Sequence, residues 1–201
     1  LNHSKFMIVD DEVVISTWNY SYSTFAYNRD FFVVINDKLF LNDILDIFLN
    51  DFAWNDVSFY NHNLVLSPVY SREKLEILID SAEKKLEIYF PYTKDDFLEK
   101  LLYKKVEEGV EISMIVSDSV LKDEEDKKLF EKFKEKWINI KAVKKPKIHS
   151  KSILADSKYL YIWSINFSSY SIDKNREMWL IVKNKEVIEE FLKVFNGDFE
   201  E

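Results

Sequence analysis

The hydrophobic positions of this chain fall into short continuous runs and into longer segments with apolar residues three and four apart. Runs of β-branched and aromatic residues at 6–9, 13–15 and 31–35 predict buried strands. Segment 37–52 then predicts an amphipathic helix. Its inward-facing positions are predicted to be Leu41, Ile44, Leu45, Phe48 and Phe52.

The middle of the chain alternates between strand and helix patterns. Strands are predicted at 86–90 and 110–116. Segment 64–68 is interpreted as the entry to this part of the chain, and segment 138–143 as leading through a basic turn into the last part. Helices are predicted at 71–85 with Ser71 as N-cap, at 94–108 with Gly109 ending the helix, and at 123–137. This alternation predicts an α/β fold in which a mixed, mostly parallel sheet is flanked by helices.

The end of the chain repeats its beginning. Segments 159–165, 178–182 and 186–195 predict strand, strand and helix, as in the first quarter. The sequence HSKFMIVD at 3–10 returns as HSKSILAD at 149–156, which uses two of the three histidines. NYSYS at 19–23 corresponds to NFSSY at 166–170, and NRDFFVVI at 28–35 to NREMWLIV at 175–182. These matches indicate an internal duplication of a whole structural unit.

The duplicated His-x-Lys-x4-Asp motif, followed by an asparagine and then an acidic residue, resembles the signature of the phospholipase D superfamily of phosphodiesterases. The resemblance covers essentially the full chain and implies two pseudo-symmetric phospholipase D-like lobes. Residues 1–56 would form the C-terminal half of the first lobe and residues 57–201 the second lobe, with the polar segment 55–63 crossing between them. The first half of the first lobe would then lie upstream of Leu1.

Composition narrows the function classes. Apolar residues make up 47% of the chain, so a sizeable core can form. The sequence contains no stretch of about twenty apolar residues, which is the length needed to span a bilayer. The chain has no cysteine, which removes disulfides and thiolate metal sites. Its net charge of −8 argues against a general nucleic-acid binder, although a local basic groove can exist in an acidic protein. We expect a cytoplasmic or peripheral membrane location.

The His-x-Lys spacing has a chemical use. Residues two apart on a strand point to the same face, so His3 projects with Lys5, and His149 with Lys151. Two such strand ends that face each other suit phosphodiester cleavage, because an imidazole can act as nucleophile or general acid while an ammonium neutralises phosphoryl oxygens. The resemblance implies a two-step reaction through a phosphohistidine, with no metal and no cofactor.

The resemblance also implies residue roles. His3 is expected to be the nucleophile and His149 the general acid and base, and the pseudo-symmetry leaves the reverse assignment open. The residues expected to bind the substrate phosphate are Lys5, Lys151, Asn19, Asn166, Thr17 and Ser164. Asp30 and Glu177 would each accept the second N–H of an imidazole and fix its tautomer. Asp10 and Asp156 are expected to be structural.

Both repeats depart from the family pattern where Gly-Ser-x-Asn is usual. The first reads Ser16-Thr17-Trp18-Asn19 and the second Trp163-Ser164-Ile165-Asn166, so neither keeps the glycine. A glycine allows close approach of backbone to a ligand, so its loss alters the phosphate-binding geometry. Trp163 is a candidate to narrow the pocket.

Other features have simpler interpretations. His62 is expected to be a surface loop residue rather than a metal ligand. The basic run at 144–147 either contacts an anionic lipid or nucleic acid, or is a solvated turn, and the turn is favoured. The aromatic residues near the second asparagine either line a substrate groove or pack in the core, and core packing is favoured for Tyr159, Tyr161, Trp163 and Tyr170.

Three functions remain open. The first is a phospholipase D or phosphatidyltransferase that acts on glycerophospholipids, with peripheral membrane contact, and phospholipid is preferred to nucleic acid as the substrate. The second is a nuclease or other nucleic-acid phosphodiesterase with the same two histidines. The third is an inactive fragment or binding module. The oligomeric state is left open.

Overall fold

The computed structural model describes residues 1–57, 61–91 and 93–200. Three residues of the predicted crossing segment, 58–60, therefore lie outside the described residues. The first repeat consists of β1 (Phe6–Val9), β2 (Glu12–Ser16), α1 (Tyr22–Tyr27), β3 (Asn28–Arg29), β4 (Phe32–Ile35) and α2 (Lys38–Phe52). Strands β1, β2 and β4 form an antiparallel three-stranded sheet with β2 in the centre.

The middle of the chain contains β5 (Leu64–Leu66), α3 (Ser71–Asp80), β6 (Lys85–Tyr89), β7 (Thr93–Lys94), α4 (Asp96–Glu107), β8 (Glu111–Ser117), a 3-10 turn (Asp118–Lys122), α5 (Glu124–Glu135) and β9 (Asn139–Val143). The second repeat follows as β10 (Lys147–Ile148), β11 (Ser152–Ala155), β12 (Tyr159–Trp163), β13 (Phe167–Ser168), α6 (Ser169–Lys174), β14 (Met178–Val182) and α7 (Lys185–Glu200). Within the described residues, no helix is long and apolar enough to cross a membrane.

The main sheet is mixed, and within the described residues it has seven strands in the order β5-β14-β12-β11-β6-β8-β9. Only the pairs β6-β8 and β8-β9 are parallel in this part of the chain, and the other four pairs are antiparallel. The predicted α/β class with a mixed sheet is confirmed, and the two parallel pairs of the main sheet join strands of the middle segment. The reason is connection length, since β11 and β12 are joined by a tight turn that permits only antiparallel pairing.

The two repeats match element by element. Strands β1, β2 and β4, helix α1 and helix α2 correspond to β11, β12, β14, α6 and α7. They differ at one edge, because β11 pairs with β6 whereas β1 is the edge strand of its sheet. Two pseudo-symmetric units are therefore present, and the boundary at residue 56 stays a prediction.

The core lies on both faces of the main sheet. Alternate residues of β12 point to opposite sides, with Tyr161 and Trp163 in one hydrophobic cluster and Leu160 and Ile162 in the other. Helices α3 to α6 cover the first face. Helix α7 covers the second face together with α2 and β2 of the first repeat. The repeats thus share one continuous core, which holds their facing strand ends together.

Two predictions about helices are corrected. Leu41 and Ile44 of α2 are buried as predicted, but Leu45, Phe48 and Phe52 are exposed, because only one stripe of this widely apolar helix packs on the sheet. Ser71 is not the N-cap of α3. It is the first helical residue, and its hydroxyl bonds Ser67. Gly109 follows α4 at a φ of +86°, as the predicted helix end requires.

Candidate active site

The backbone at each motif histidine is bonded to the opposite repeat. Backbone N–H groups of His149 and Ser150 donate to the carbonyl of Arg29 at 3.2 and 2.8 Å, next to the short parallel pairing of β10 with β3. In the same way the N–H of His3 donates to the carbonyl of Arg176 at 2.8 Å. The residue after each arginine, Asp30 or Glu177, therefore lies beside the histidine of the other repeat.

Glu177 is the carboxylate next to His3. His3 Nδ1 is 2.9 Å from Oε1 and 3.0 Å from Oε2 of Glu177, whose side chain is fully buried. The hydroxyl of Ser164 donates to Oε2, and the side-chain amide of Asn175 donates to Oε1 at 3.2 Å. A carboxylate accepts only, so Nδ1 carries the proton and the lone pair of Nε2 is left for chemistry.

Asp30 holds His149 in an equivalent way. His149 Nδ1 lies 2.8 Å from Oδ1 of Asp30, and only 2% of the Asp30 side chain is exposed. The hydroxyl of Thr17 donates to the same Oδ1 at 2.7 Å. Each carboxylate thus bonds to the histidine of the other repeat. The histidine side chains stay partly exposed, 26% for His3 and 21% for His149.

Both motif lysines are buried against their histidines. Lys5 Nζ lies 2.9 Å from His3 Nε2 and donates to the His3 carbonyl at 3.0 Å. Lys151 Nζ lies 3.2 Å from His149 Nε2 and also donates to the carbonyls of His149 and Thr17, at 2.6 and 3.3 Å. Each ammonium is therefore fixed by backbone carbonyls beside the open ring nitrogen.

Burial changes the acidity of these lysines. It lowers the pKa of Lys5 from 10.5 to about 8, against the opposing charges of Glu177 and Asp30. It lowers the pKa of Lys151 from 10.5 to about 7, a shift that Asp30 and Glu177 oppose and that the charge of Lys5 increases. Because both carboxylates act on both lysines, the four groups form one electrostatic cluster. An incoming phosphate would restore the charge balance that favours the ammonium forms.

Asn19 flanks this cluster. The amide of Asn19 lies 3.5 Å from His149 Nε2, on the exposed side of the site. Asn166 is half-buried between β12 and β13, at the equivalent position of the second repeat. Two imidazoles, two ammonium groups and two amides therefore belong to the same pseudo-symmetric arrangement, which suits an anionic tetrahedral group.

Comparison with known proteins agrees with this arrangement. Residues 75–199 match the family model described as cardiolipin synthase, PLD-like domain, which covers more than half of the chain. The chain belongs to the phospholipase D superfamily. This is a family of phosphodiesterase and transferase enzymes.

Individual relatives extend the match. Over 129 residues the chain is 29% identical to cardiolipin synthase A of Buchnera aphidicola subsp. Baizongia pistaciae (strain Bp), which covers 62% of this chain and 24% of that protein. The structure of phosphatidylserine synthase from Haemophilus influenzae Rd KW20 superposes with a TM-score of 0.77 at 16% identity, over 98% of this chain and 62% of that one. Nuc from Salmonella typhimurium, a phospholipase D family member, superposes with a TM-score of 0.61 at 18% identity, over 68% and 92%.

Three predicted residue roles are revised by their positions. Thr17 and Ser164 are fully buried and bond to the carboxylates of Asp30 and Glu177, so they support these acids instead of contacting substrate. Trp163 does not narrow the pocket. Its ring is fully buried and packs on Trp179 at 5.0 Å, which confirms core packing for Trp163. Tyr161 is buried as well, whereas core packing was wrong for Tyr159 and Tyr170, which are exposed.

Sequence reasoning missed the polar residues that support the acids. Asn175 bonds to Glu177 and Asn28 to Asp30, at 3.2 and 3.4 Å. The signal was present, because Asn-Arg-acid occurs in both repeats. His62 is exposed as predicted, and the lysines of the run at 144–147 are exposed on the turn just before His149.

The motif aspartates differ between the repeats. Asp156 has a φ of 52° and accepts backbone N–H bonds from Glu83, Lys84 and Lys85 at 2.8, 2.8 and 2.9 Å. It therefore fastens the β11-β12 turn to the start of β6. Asp10 has the same φ of 52° at the equivalent turn, but its side chain is exposed.

We expect Asp156→Ala to lower the free energy of unfolding by about 2 kcal/mol, because three N–H groups lose a charged acceptor. The matched variant Asp10→Ala places alanine at the same φ but removes an exposed carboxylate, so it should cost clearly less than Asp156→Ala. Urea denaturation followed by circular dichroism measures both. Equal losses in the two variants would contradict the structural role assigned to Asp156.

Proposed function

We propose that this chain carries the active site of a phospholipase D-type enzyme that cleaves or transfers the phosphatidyl group of glycerophospholipids through a covalent phosphohistidine, without a metal. The observation that carries the proposal is the crossed pairing of His3 with Glu177 and His149 with Asp30, each at 2.9 Å or less. This pairing leaves both Nε2 atoms free of a carboxylate, and each contacts a buried lysine that a substrate phosphate would draw onto its own oxygens. Because the chain spans 24% of the matched cardiolipin synthase A, the activity of a whole enzyme is part of the proposal.

The first step forms the phosphohistidine. The lone pair of His3 Nε2 attacks phosphorus and forms the N–P bond while the bond from phosphorus to the leaving alcohol oxygen breaks. Protonated His149 gives its Nε2 proton to that oxygen, so the alcohol leaves neutral. Glu177 stabilises the positive charge that develops on His3, because it already accepts a hydrogen bond from the Nδ1–H group of His3.

The second step releases the product. Neutral His149 takes a proton from water or from an acceptor alcohol, whose oxygen attacks phosphorus from the side opposite His3. The N–P bond then breaks and its electron pair returns to Nε2. Lys5, Lys151, Asn19 and Asn166 bind the phosphoryl oxygens, and Asp30 keeps His149 oriented through both proton transfers.

Phospholipid is preferred to nucleic acid for two reasons. The family model that matches residues 75–199 is described as a cardiolipin synthase domain, and the matched relative carries the same name. The net charge of −8 also disfavours a long polyanion, whose binding depends on many basic contacts. Peripheral contact with a lipid surface follows from this preference.

The proposal is tested with vesicles of phosphatidylglycerol and with single-stranded DNA, both in EDTA. We expect release of phosphatidic acid from the lipid and, with added ethanol, formation of phosphatidylethanol, because the alcohol competes with water for the phosphohistidine. Cleavage of DNA alone, with binding that weakens steeply between low and moderate salt, would show the nuclease instead. If neither substrate nor bis(p-nitrophenyl) phosphate is turned over by folded protein, the chain is a binding module.

A further inference from the structure

Next to each carboxylate of the site lies an arginine that reaches the other repeat. Arg29 immediately precedes Asp30, and its Nε and Nη2 donate to the two carboxylate oxygens of Asp198, both at 2.6 Å. Asp198 lies in α7 of the second repeat and is 5% exposed. The hydroxyl of Tyr89 donates to the same carboxylate at 2.7 Å. Asp198 is thus a buried anchor with three donors.

The second arginine repeats this arrangement. Arg176 immediately precedes Glu177, and its Nη2 lies 2.8 Å from Oδ1 of Asp51 in α2 of the first repeat. Its Nη1 also donates to the carbonyl of Ser67 at 3.2 Å. Asp51 and Asp198 are equivalent positions of the duplication, as the aligned DF pairs at 51–52 and 198–199 show. Each arginine therefore crosses to the helix that closes the opposite repeat.

Each arginine contacts the same repeat as the carboxylate that follows it in the sequence. The first repeat sends Arg29 and Asp30 into the second, where Asp198 and His149 receive them. The backbone carbonyl between these two side chains also accepts the N–H groups of His149 and Ser150. The Arg29 side chain, the Arg29 carbonyl and the Asp30 carboxylate thus all bond to the second repeat. Loss of the Arg29 side-chain contact would allow residues 29–30 to move relative to the His149 imidazole.

Such movement matters because the carboxylate bond is sensitive to geometry. A hydrogen bond weakens steeply when its length or angle departs from the optimum, and an unaligned carboxylate no longer selects the imidazole tautomer. The bidentate contact of Arg29 with Asp198 restricts both position and orientation. Arg176 is restricted by its two contacts with Asp51 and the Ser67 carbonyl. Such paired contacts therefore suit a role in alignment better than a single lysine contact would.

We propose that Arg29–Asp198 and Arg176–Asp51 are positioning pairs, each of which aligns one carboxylate with one imidazole across the repeats. The first pair sets Asp30 on His149, and the second sets Glu177 on His3. The residues act through the carboxylates and do not touch substrate. The kinetic consequences rest on the proposed function, whereas the effect on the imidazoles does not.

The test that needs no activity uses protein with 15N-labelled histidine, which contains His3, His62 and His149 only. Ring 15N shifts report which nitrogen carries the proton. At a pH where the imidazoles are neutral, we expect His149 of Asp198→Asn to show a mixture of the Nδ1-protonated and Nε2-protonated tautomers. His3 should keep the Nδ1-protonated tautomer alone. In Asp51→Asn we expect the reverse, and His62 serves as the reference in both.

The control is Asp80→Asn, which removes the exposed pair with Lys104 and should change none of the three signals. Unchanged His149 signals in Asp198→Asn, or equal changes in His3 and His149, would overturn the proposal. If Asp198→Asn does not fold, Arg29→Lys is used instead. It keeps the charge but not the two-pronged contact, and we expect the same change confined to His149.

The kinetic test separates positioning from a purely structural role. We expect Asp198→Asn to lower kcat about tenfold to hundredfold with KM within about twofold, as outer partners of an imidazole do in metal sites. In an Asp30→Asn background the same change should lower kcat by less than about twofold, because its effect passes through Asp30. Losses that multiply would instead indicate a structural role. Inactive wild-type protein with the expected 15N changes would reject the proposed function alone.

Discussion

His149→Ala should lower the turnover of phosphatidylglycerol by about a thousandfold or more, because it removes the proposed general acid for the leaving alcohol and general base for water. His3→Ala should be at least as damaging, since no N–P bond can form. The matched control is His62→Ala, which changes the third histidine at an exposed position outside the site. Product formation in EDTA, with circular dichroism to confirm folding, measures all three.

The two histidine variants also separate nucleophile from acid. With bis(p-nitrophenyl) phosphate the leaving group is p-nitrophenolate, which departs without protonation. His149→Ala should therefore complete the first step and accumulate an acid-labile phosphohistidine, which mass spectrometry detects on His3. His3→Ala should form none. Accumulation on His149 in the His3 variant would reverse the assignment, and wild-type turnover in both variants would reject the two-histidine mechanism.

Lys151→Met should abolish most activity and at the same time stabilise the protein. The side chain is fully buried, and burial holds the pKa of Lys151 at about 7. Removing an ammonium that is proposed to bind phosphoryl oxygens should lower kcat about hundredfold or more. Methionine fills a similar volume without the cost of burying a charge, so below pH 7 we expect a gain of a few kcal/mol, on the order expected from such a shift.

The gain should depend on pH in a definite direction. Between pH 7 and 10.5 the unfolded chain binds a proton at Lys151 that the folded chain does not, so this residue makes wild-type stability rise with pH. The advantage of Lys151→Met should therefore be largest below pH 7 and vanish near pH 10.5. Urea denaturation of both proteins across this range measures it.

Lys185→Met at a highly exposed position is the control for the lysine change and should show no such trend. Lys5→Met should behave like Lys151→Met but with a smaller effect, because its pKa is lowered only to about 8. A Lys151→Met variant that is less stable than wild type at pH 6 would contradict the assigned cost of burying this charge.

Much of the local structure follows from sequence pattern. Strands β1 and β14 have the predicted limits, 6–9 and 178–182, because continuous β-branched and aromatic runs are unambiguous at this length. Prediction was weaker where several faces are apolar. The predicted burial of Leu45, Phe48 and Phe52 in α2 was wrong, because spacing alone does not tell which side of the helix packs on the sheet. That side depends on the orientation of the helix over β2.

The candidate residues of the site were also chosen from the sequence, and their catalytic roles stay predictions. Repetition of histidine, lysine, asparagine and acid indicated the candidate reacting groups without any structure. Thr17 and Ser164 were assigned to substrate because motif position does not show whether a hydroxyl points outwards. Their burial behind the carboxylates is a consequence of packing around β2 and β12.

By itself, the sequence determined the duplication, the α/β class and the set of chemical groups, since these depend on spacing over a few residues. Only the tertiary structure decided that each carboxylate serves the histidine of the other repeat, across 174 residues for Glu177 and 119 for Asp30. It also decided that both lysines are buried and easily deprotonated. Pairing across repeats and loss of solvent both arise from long-range contacts, which no local pattern contains.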